Sequence, residues 1–182
     1  MPLGTKLNDT FKEFIEKQPL FFVATAADTG RVNLSPKGGD TLRVLGDNRV
    51  LWLSLSGSGN ETAGHLRRQN RMTLMFCSFE GDPRILRLYG TAQTLHARDA
   101  DWEALVQHFP AMPGTRQLYD MTIDSVQTSC GAGVPRMAVE RERLEGELLP
   151  YFDEMGDDGV EDYWRRKNVE TIDGFETGLF DS

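Results

Sequence analysis

The sequence predicts a mainly β fold with flanking helices, its strands closing into an antiparallel barrel. Three observations carry that expectation. Six or so short runs, among them Arg49–Leu55 and Arg71–Cys77, are apolar or alternate apolar with polar residues, as strands do. Most are joined by Gly-, Asn- or Asp-bearing turns, too short for the crossovers that parallel strands need. Helical periodicity enters at only some junctions, and a sheet with short antiparallel links removes its edges by closing.

The elements follow in order. Residues 7–17 have helical spacing, with Phe11, Phe14 and Ile15 on one face. Thr10 with Glu13 fits a capping box, and Pro19 stops the helix. Residues 20–26 form an apolar, aromatic strand, and Asp28-Thr29-Gly30 is a turn signal. Residues 31–35 alternate and pair with the first strand as a hairpin, and Pro36-Lys37-Gly38-Gly39-Asp40 is expected to break the strand. Residues 41–45 alternate again, Gly46-Asp47-Asn48 turns, and Arg49–Leu55 is a strand. The loop 56–60 (SGSGN) is the most flexible stretch, and a helix follows over 61–70. Arg71–Cys77 and Arg84–Leu95 are strands around a turn at 80–83. Residues 99–109 read as a helix capped by Asp99, with Trp102, Leu105, Val106 and Phe109 in one stripe. Residues 117–127 return to strand.

From Glu140 charged residues dominate. Leu144, Leu148 and Leu149 suggest one helix, Gly156 and Gly159 a break, residues 160–169 a second helix, and the tail from Gly174 is expected to be loose. The chain thus divides into a barrel domain, 1–135, and a helical extension, 136–182, packing on the barrel or on a dimer partner.

The 182 residues carry 20 Lys and Arg against 28 Asp and Glu, a net charge of −8. That argues against a nucleic-acid partner, whose affinity rests on neutralising phosphates, but allows one small anionic ligand at a locally positive site. No apolar run reaches the ~18 residues of a membrane span, and the N-terminus lacks a signal-peptide core. Cys77 and Cys130 are too few for a disulfide scaffold, so a reducing, cytoplasmic compartment is expected. The cysteines lack CxxC spacing and the three histidines form no HExxH, so no metal site is expected. Without an acid, base or nucleophile constellation, a cofactor would carry any reaction.

Three segments carry candidate chemistry. The loop SGSGNET, residues 56–62, follows a strand and opens a helix, whose free amides and positive dipole end favour a phosphate. It reads equally as a plain loop with Asn60 as N-cap. Alternation places Arg31, Asn33 and Ser35 on one strand face, ahead of Lys37. Such a face offers hydrogen bonds to a flat polar ring, or is simply solvated. Arg87 shares a face with Ile85 and Tyr89, and a buried Arg there requires an anion, carboxylate or phosphate. His65 on the inserted helix is a ligand contact or a capping residue.

The succession FFVATA, GRVNLSPKG, RVLWLSLSGSGNETAGHL, RMTLMF, RILRLYGTA resembles the pyridoxamine 5'-phosphate oxidase-like, FMN-binding split-barrel family. VQTSCGAGVP, then RRKN and TIDG, resembles an uncharacterised branch of it. The resemblance implies a six-stranded antiparallel split barrel and a homodimer with FMN at the interface. It implies that Asn33, Leu34, Ser35 and Lys37 run beside the flavin ring, and that Ser54, Leu55 and Ser56 lie near ring and ribityl chain. Asn60, Glu61 and Thr62 fall at the family's phosphate grip, and Gln127 and Ser129 near the dimer seam. Lys167 and Asn168, with Trp164 and Arg165, fall within reach of the cofactor.

Glu61 and Thr62 stand where the vitamin B6 oxidase has two cations, and its C-terminal sequence is absent here. Glu61 must turn away or be paired, and helix amides, Thr62 and a cation such as Lys37, Arg43 or Arg87 must compensate. The expected function is therefore an FMN-dependent oxidoreductase on an unknown small molecule, distinct from the vitamin B6 enzyme. The alternatives are a non-catalytic flavin or haem carrier with His65 as haem ligand, a deazaflavin (F420)-dependent reductase, or an interaction protein.

Overall fold

Residues 3–181 are described by the structure, a computed structural model. One antiparallel sheet dominates it. Its strands are β1 (Leu3–Gly4), β2 (Leu20–Thr25), β3 (Asn33–Gly38), β4 (Leu42–Val44), β5 (Arg49–Leu55), β6 (Arg71–Cys77), β7 (Arg84–Leu95) and β8 (Thr115–Cys130). The spatial order is β3-β2-β6-β7-β8-β5-β4, with the two-residue β1 added beside β8. The fold class holds: a curled antiparallel half-barrel with flanking helices. The strand count is eight where six or so were expected: the two-residue β1 is too short to carry a pattern, and the other seven fall on runs that the sequence marks, β4 within 41–45 included.

The sheet buries its inner face throughout and both faces at β5. Val23, Trp52, Leu74, Leu88 and Tyr119 fill the barrel interior. On the other face of β5, Leu51 and Leu53 meet Trp102, Leu105 and Phe109 from the segment between β7 and β8. This explains why residues 50–54 are buried without interruption, as in any strand covered on both sides. Trp52 stacks on Tyr119 at 4.5 Å between ring centroids, tying β5 to β8.

Four local expectations need correction. Helix α1 (Asp9–Glu16) is capped by Asn8, whose side chain accepts the Phe11 amide at 2.9 Å, and not by Thr10 with Glu13. The cap sits two residues earlier because Asn satisfies an orphan amide at least as well as Thr. Strand β3 runs through Pro36 to Gly38 instead of breaking there. Pro is tolerated because β3 is an edge strand, with one side that needs no N–H donor. Helix α3 is only Trp102–Val106, and the Asp99 carboxylate accepts the His96 amide instead of capping it. The apolar stripe is nonetheless buried as its spacing predicts.

The C-terminal tail is the fourth correction. Helix α2 (Glu61–Arg68) precedes β6, and after β8 a π-helical turn (Leu144–Leu148) leads into α4 (Leu149–Lys167). Gly156 interrupts α4 at φ 68°, so the break expected there is present. The tail beyond it is docked. Thr177 and Leu179 are buried, and Arg98 donates to the carbonyls of Gly178 (2.6 Å) and Leu179 (2.8 Å). Thr177 adds bonds to the carbonyls of Asn168 and Val169, so the tail finds in distant residues the partners that local sequence does not announce. Ser182 lies outside the described residues. No helix among the described residues is long and apolar enough to cross a membrane.

Gly90 sits where the β7–β8 register shifts. A Cβ there would collide with the carbonyl oxygen of Thr122 on the neighbouring strand. Gly90→Ala is therefore expected to destabilise the protein by about 1–3 kcal/mol, as overpacking against backbone does. The shift in the urea unfolding midpoint measures it, and an unchanged midpoint contradicts the close approach.

Candidate functional site

Among the described residues no hydrogen-bonded ladder joins β3 to β4, so the barrel stays open along one seam. A cleft of about 910 Å³ occupies that seam. Its walls are Pro36, Lys37 and Gly38 from β3 and Trp52, Ser54 and Leu55 from β5, with Ser56 beyond the strand end. Met137, Val139, Leu144 and Tyr151 of the C-terminal segment form the outer side. A second hollow of about 770 Å³, between α1 and the turn before β7, shares Met137 and Val139 with it.

Alternation along β3 turns Asn33, Ser35 and Lys37 to the half-buried face and leaves Leu34 and Pro36 exposed. The Lys37 ammonium reaches across the seam and lies 5.4 Å from the Trp52 ring centroid, a cation–π contact. Burial first, and the charge of Arg116 second, push its pKa down to about 8. Arg116 lies beneath the cleft on β8 and is 7% exposed. It donates to the Ser54 hydroxyl at 3.3 Å, to Asn168 Oδ1 at 2.7 Å and to the Gly59 carbonyl at 3.0 Å. Its Nε has no partner among the described residues, and burial depresses its pKa.

The loop after β5 is held from the C-terminal side. Ser56 donates to the Gly114 carbonyl at 2.7 Å and accepts from the Trp164 indole at 2.6 Å. Asn168, fully buried, donates to the Gly57 carbonyl at 2.9 Å while accepting from Arg116. Asn60, 2% exposed, makes no capping bond. Its Oδ1 accepts from Gln117 at 2.6 Å, beside Tyr119, whose phenol is pushed up by burial. Glu61 accepts the Ile172 amide at 3.1 Å, its carboxylate lying beside Gly59 of the loop. Thr62 accepts from Asn33 at 3.3 Å.

The sequence-derived residues thus fall into three groups. Lys37, Ser54, Leu55 and Ser56 converge on the cleft. Asn33, Ser35, Asn60, Glu61, Thr62 and Asn168 bond to other protein groups around it. Gln127 and Ser129 accept from Tyr89 and Arg87, each at 3.0 Å, and line neither hollow. Leu34 is 65% exposed on the outer face of β3, and Lys167 is exposed at the end of α4. Of the candidate compensating cations, Arg43 is paired with Asp40 and Arg87 with Ser129, leaving Lys37 at the cleft. His65 is 1% exposed, bonds through Nδ1 to Thr25 at 3.1 Å and lines neither hollow, so it is a core histidine. Arg116 escaped the sequence reading because β8 was expected to start at 117. Moving that start two residues earlier puts Arg116 in a strand buried on both faces.

The sequence profile of the pyridoxamine 5'-phosphate oxidase family matches residues 7–130, from the approach to α1 through β8. A curated relative, the pyridoxamine 5'-phosphate oxidase family protein ustO of Aspergillus flavus, is 37% identical over 151 residues, 80% of this chain and 61% of that protein. The chain therefore spans less than two thirds of that relative's length. A crystal structure of a putative pyridoxamine 5'-phosphate oxidase from Lactobacillus delbrueckii superposes with a TM-score of 0.54 at 18% identity, covering 67% of this chain and 93% of that one. HupZ of Group A Streptococcus gives 0.55 at 18% identity, covering 72% and 99%. At such identities the structures share the fold. The profile match across the whole barrel makes this chain a member of the pyridoxamine 5'-phosphate oxidase family.

Proposed function

We propose that the protein is an FMN-dependent oxidoreductase acting on a small molecule. The observation that carries this reading is the seam cleft, whose wall presents a lysine with no carboxylate paired to it among the described residues. A cleft of about 910 Å³ lies within the range of sites that enclose a cofactor or a drug-sized ligand. Its charge asks for an anionic occupant, as a flavin phosphate is. Family membership favours a flavin over other anions.

Bound FMN would supply hydride or electron transfer. The chain's own residues bind, orient and tune. Lys37 brings a positive charge that favours negative charge gained on reduction. Trp52 and the neighbouring β5 residues give an apolar wall that limits water. Asn33 and Ser35 continue the polar face of β3, held by the Ser35-to-Asn33 bond at 2.8 Å. A homodimer belongs to the same reading. The open edge of β3 exposes Val32 (73%) and Leu34 (65%), and Ile172 is 71% exposed, apolar surface that a second copy would cover.

Two outcomes are expected. Protein incubated with FMN and desalted is yellow, and its visible absorption bleaches with a reduced nicotinamide donor. Protein that retains no FMN defeats the reading. The second outcome concerns pH. The Lys37 value is lowered from 10.5 to about 8 in the folded protein, so the charged form that attracts an anion is present below about 8 and lost above it. FMN affinity, read by flavin fluorescence, is expected to fall by up to ~tenfold for each pH unit above that value, the limit for one coupled proton. Lys37→Arg flattens that dependence. An equally steep profile in Lys37→Arg removes Lys37 from the site.

A further inference from the structure

We infer that residues 132–143 form a strap that closes over the seam cleft, seating Met137 and Val139 on the apolar ring face of a small molecule bound there. The inference rests on the reading of that cleft as a ligand site. It adds which part of the ligand the C-terminal segment recognises.

The strap is fastened at both ends. At Gly131 the chain runs so close to the start of β7 that a Cβ would press on the backbone of Pro83 and Arg84, and the Gly131 amide donates to the Pro83 carbonyl at 3.2 Å. At the far end Leu144 packs on Gly39, just past β3, where a side chain would overlap the Leu144 Cδ2. Between these anchors no helix or strand forms. Among the described residues one backbone bond ties the stretch to the barrel, from the Met137 amide to the Phe79 carbonyl at 3.2 Å. Arg141 pairs with Glu147, but that exposed pair joins the strap only to the π-helical turn after it and adds little. A segment with so few buried bonds opens locally while its flanks stay folded.

The space around the strap points the same way. Phe79, Met137 and Val139 line the seam cleft and the second hollow alike. The middle of the strap is therefore a partition, with about 910 Å³ on one side and about 770 Å³ on the other. Met137 is 51% exposed and Val139 54%, and Tyr151, beside them on the cleft, is 52% exposed. Burying this apolar surface against an occupant supplies the drive to close.

The lining names the class of occupant. Met137, Val139 and Tyr151 face Pro36 and Trp52 across the cleft, while Lys37 places its charge on the barrel wall. The strap thus meets the uncharged side of the ligand, and a thioether adapts readily to an aromatic face. Arg141, Glu142 and Arg143 also line the cleft, but all three are exposed, and their long side chains keep their charges in water.

Limited trypsin digestion of the full chain, read by mass spectrometry, tests the strap, because Arg136, Arg141 and Arg143 are exposed within it. Two probes are used, FMN and anilinonaphthalene sulfonate, an apolar ring system unrelated to flavin. Binding of each is followed by its own fluorescence. Cleavage tracks the open population, so a probe at about ten times its Kd is expected to slow the strap cuts roughly tenfold, and cuts elsewhere less. The double variant Met137→Ser with Val139→Ser, at two exposed positions whose loss leaves the fold intact, is expected to lose that protection at equal saturation.

Strap cuts that no bound probe slows overturn the inference and leave the flavin reading standing. Equal slowing at every tryptic site is global stabilisation and overturns it too, as does undiminished protection in the double variant. If FMN does not bind while anilinonaphthalene sulfonate protects the strap, the flavin reading fails and the strap stands. If neither probe binds, both fail.

Discussion

Between β3 and β4 the sheet forgoes a ladder of hydrogen bonds, and a side chain reaches into the gap. Lys37 extends over Trp52, while the Thr41 carbonyl accepts the Leu53 amide at 2.8 Å and prolongs the β4–β5 ladder on the far side. A closed barrel would have filled this volume with its own core. Leaving it open places a lysine on an apolar wall, where desolvation lowers its pKa, and leaves room for a ligand. The depth of the cleft and the charge on its wall both follow from that one unpaired seam.

The C-terminal segment is built into this arrangement, although the family profile ends at residue 130. Trp164 holds Ser56, Asn168 holds Gly57 and orients Arg116, and the Ile172 amide fixes the Glu61 carboxylate. Four contacts from three residues of one stretch thus set the shape and the charge of the site. Gly114, with φ 73°, lets Phe152 of α4 pack against the backbone just before β8, keeping that stretch in place. The resemblance implied that Asn168 lies within reach of the cofactor. Its contacts describe a positioning residue, acting through Arg116 and the glycine loop.

Much of the sheet was legible locally. The bounds of β5, β6 and β7 coincide with those read from alternation and turn residues: β5, covered on both faces, is an apolar run, while β6 and β7 alternate buried with less buried positions between clear turn signals. The polar face of β3 followed from period-two geometry, and the break at Gly156 from glycine's access to positive φ. The capping of α1 and the passage of β3 through Pro36 were not legible, since each depends on a choice between comparable local signals. Asn8 competes with Thr10, and Pro36 is acceptable only on an edge strand.

Residue types and their periods thus determined the strands, the polar row ending in Lys37, and an acidic chain that could still hold one anion. The tertiary structure decided which cation meets which. Arg116 lies 79 residues from Lys37 in sequence, and no local pattern relates them. Only the curl of the sheet brings β3 near β8, and only burial lowers the pKa of both side chains from their ordinary values. Burial depends on the whole fold, and with it the strength of every charge at the cleft.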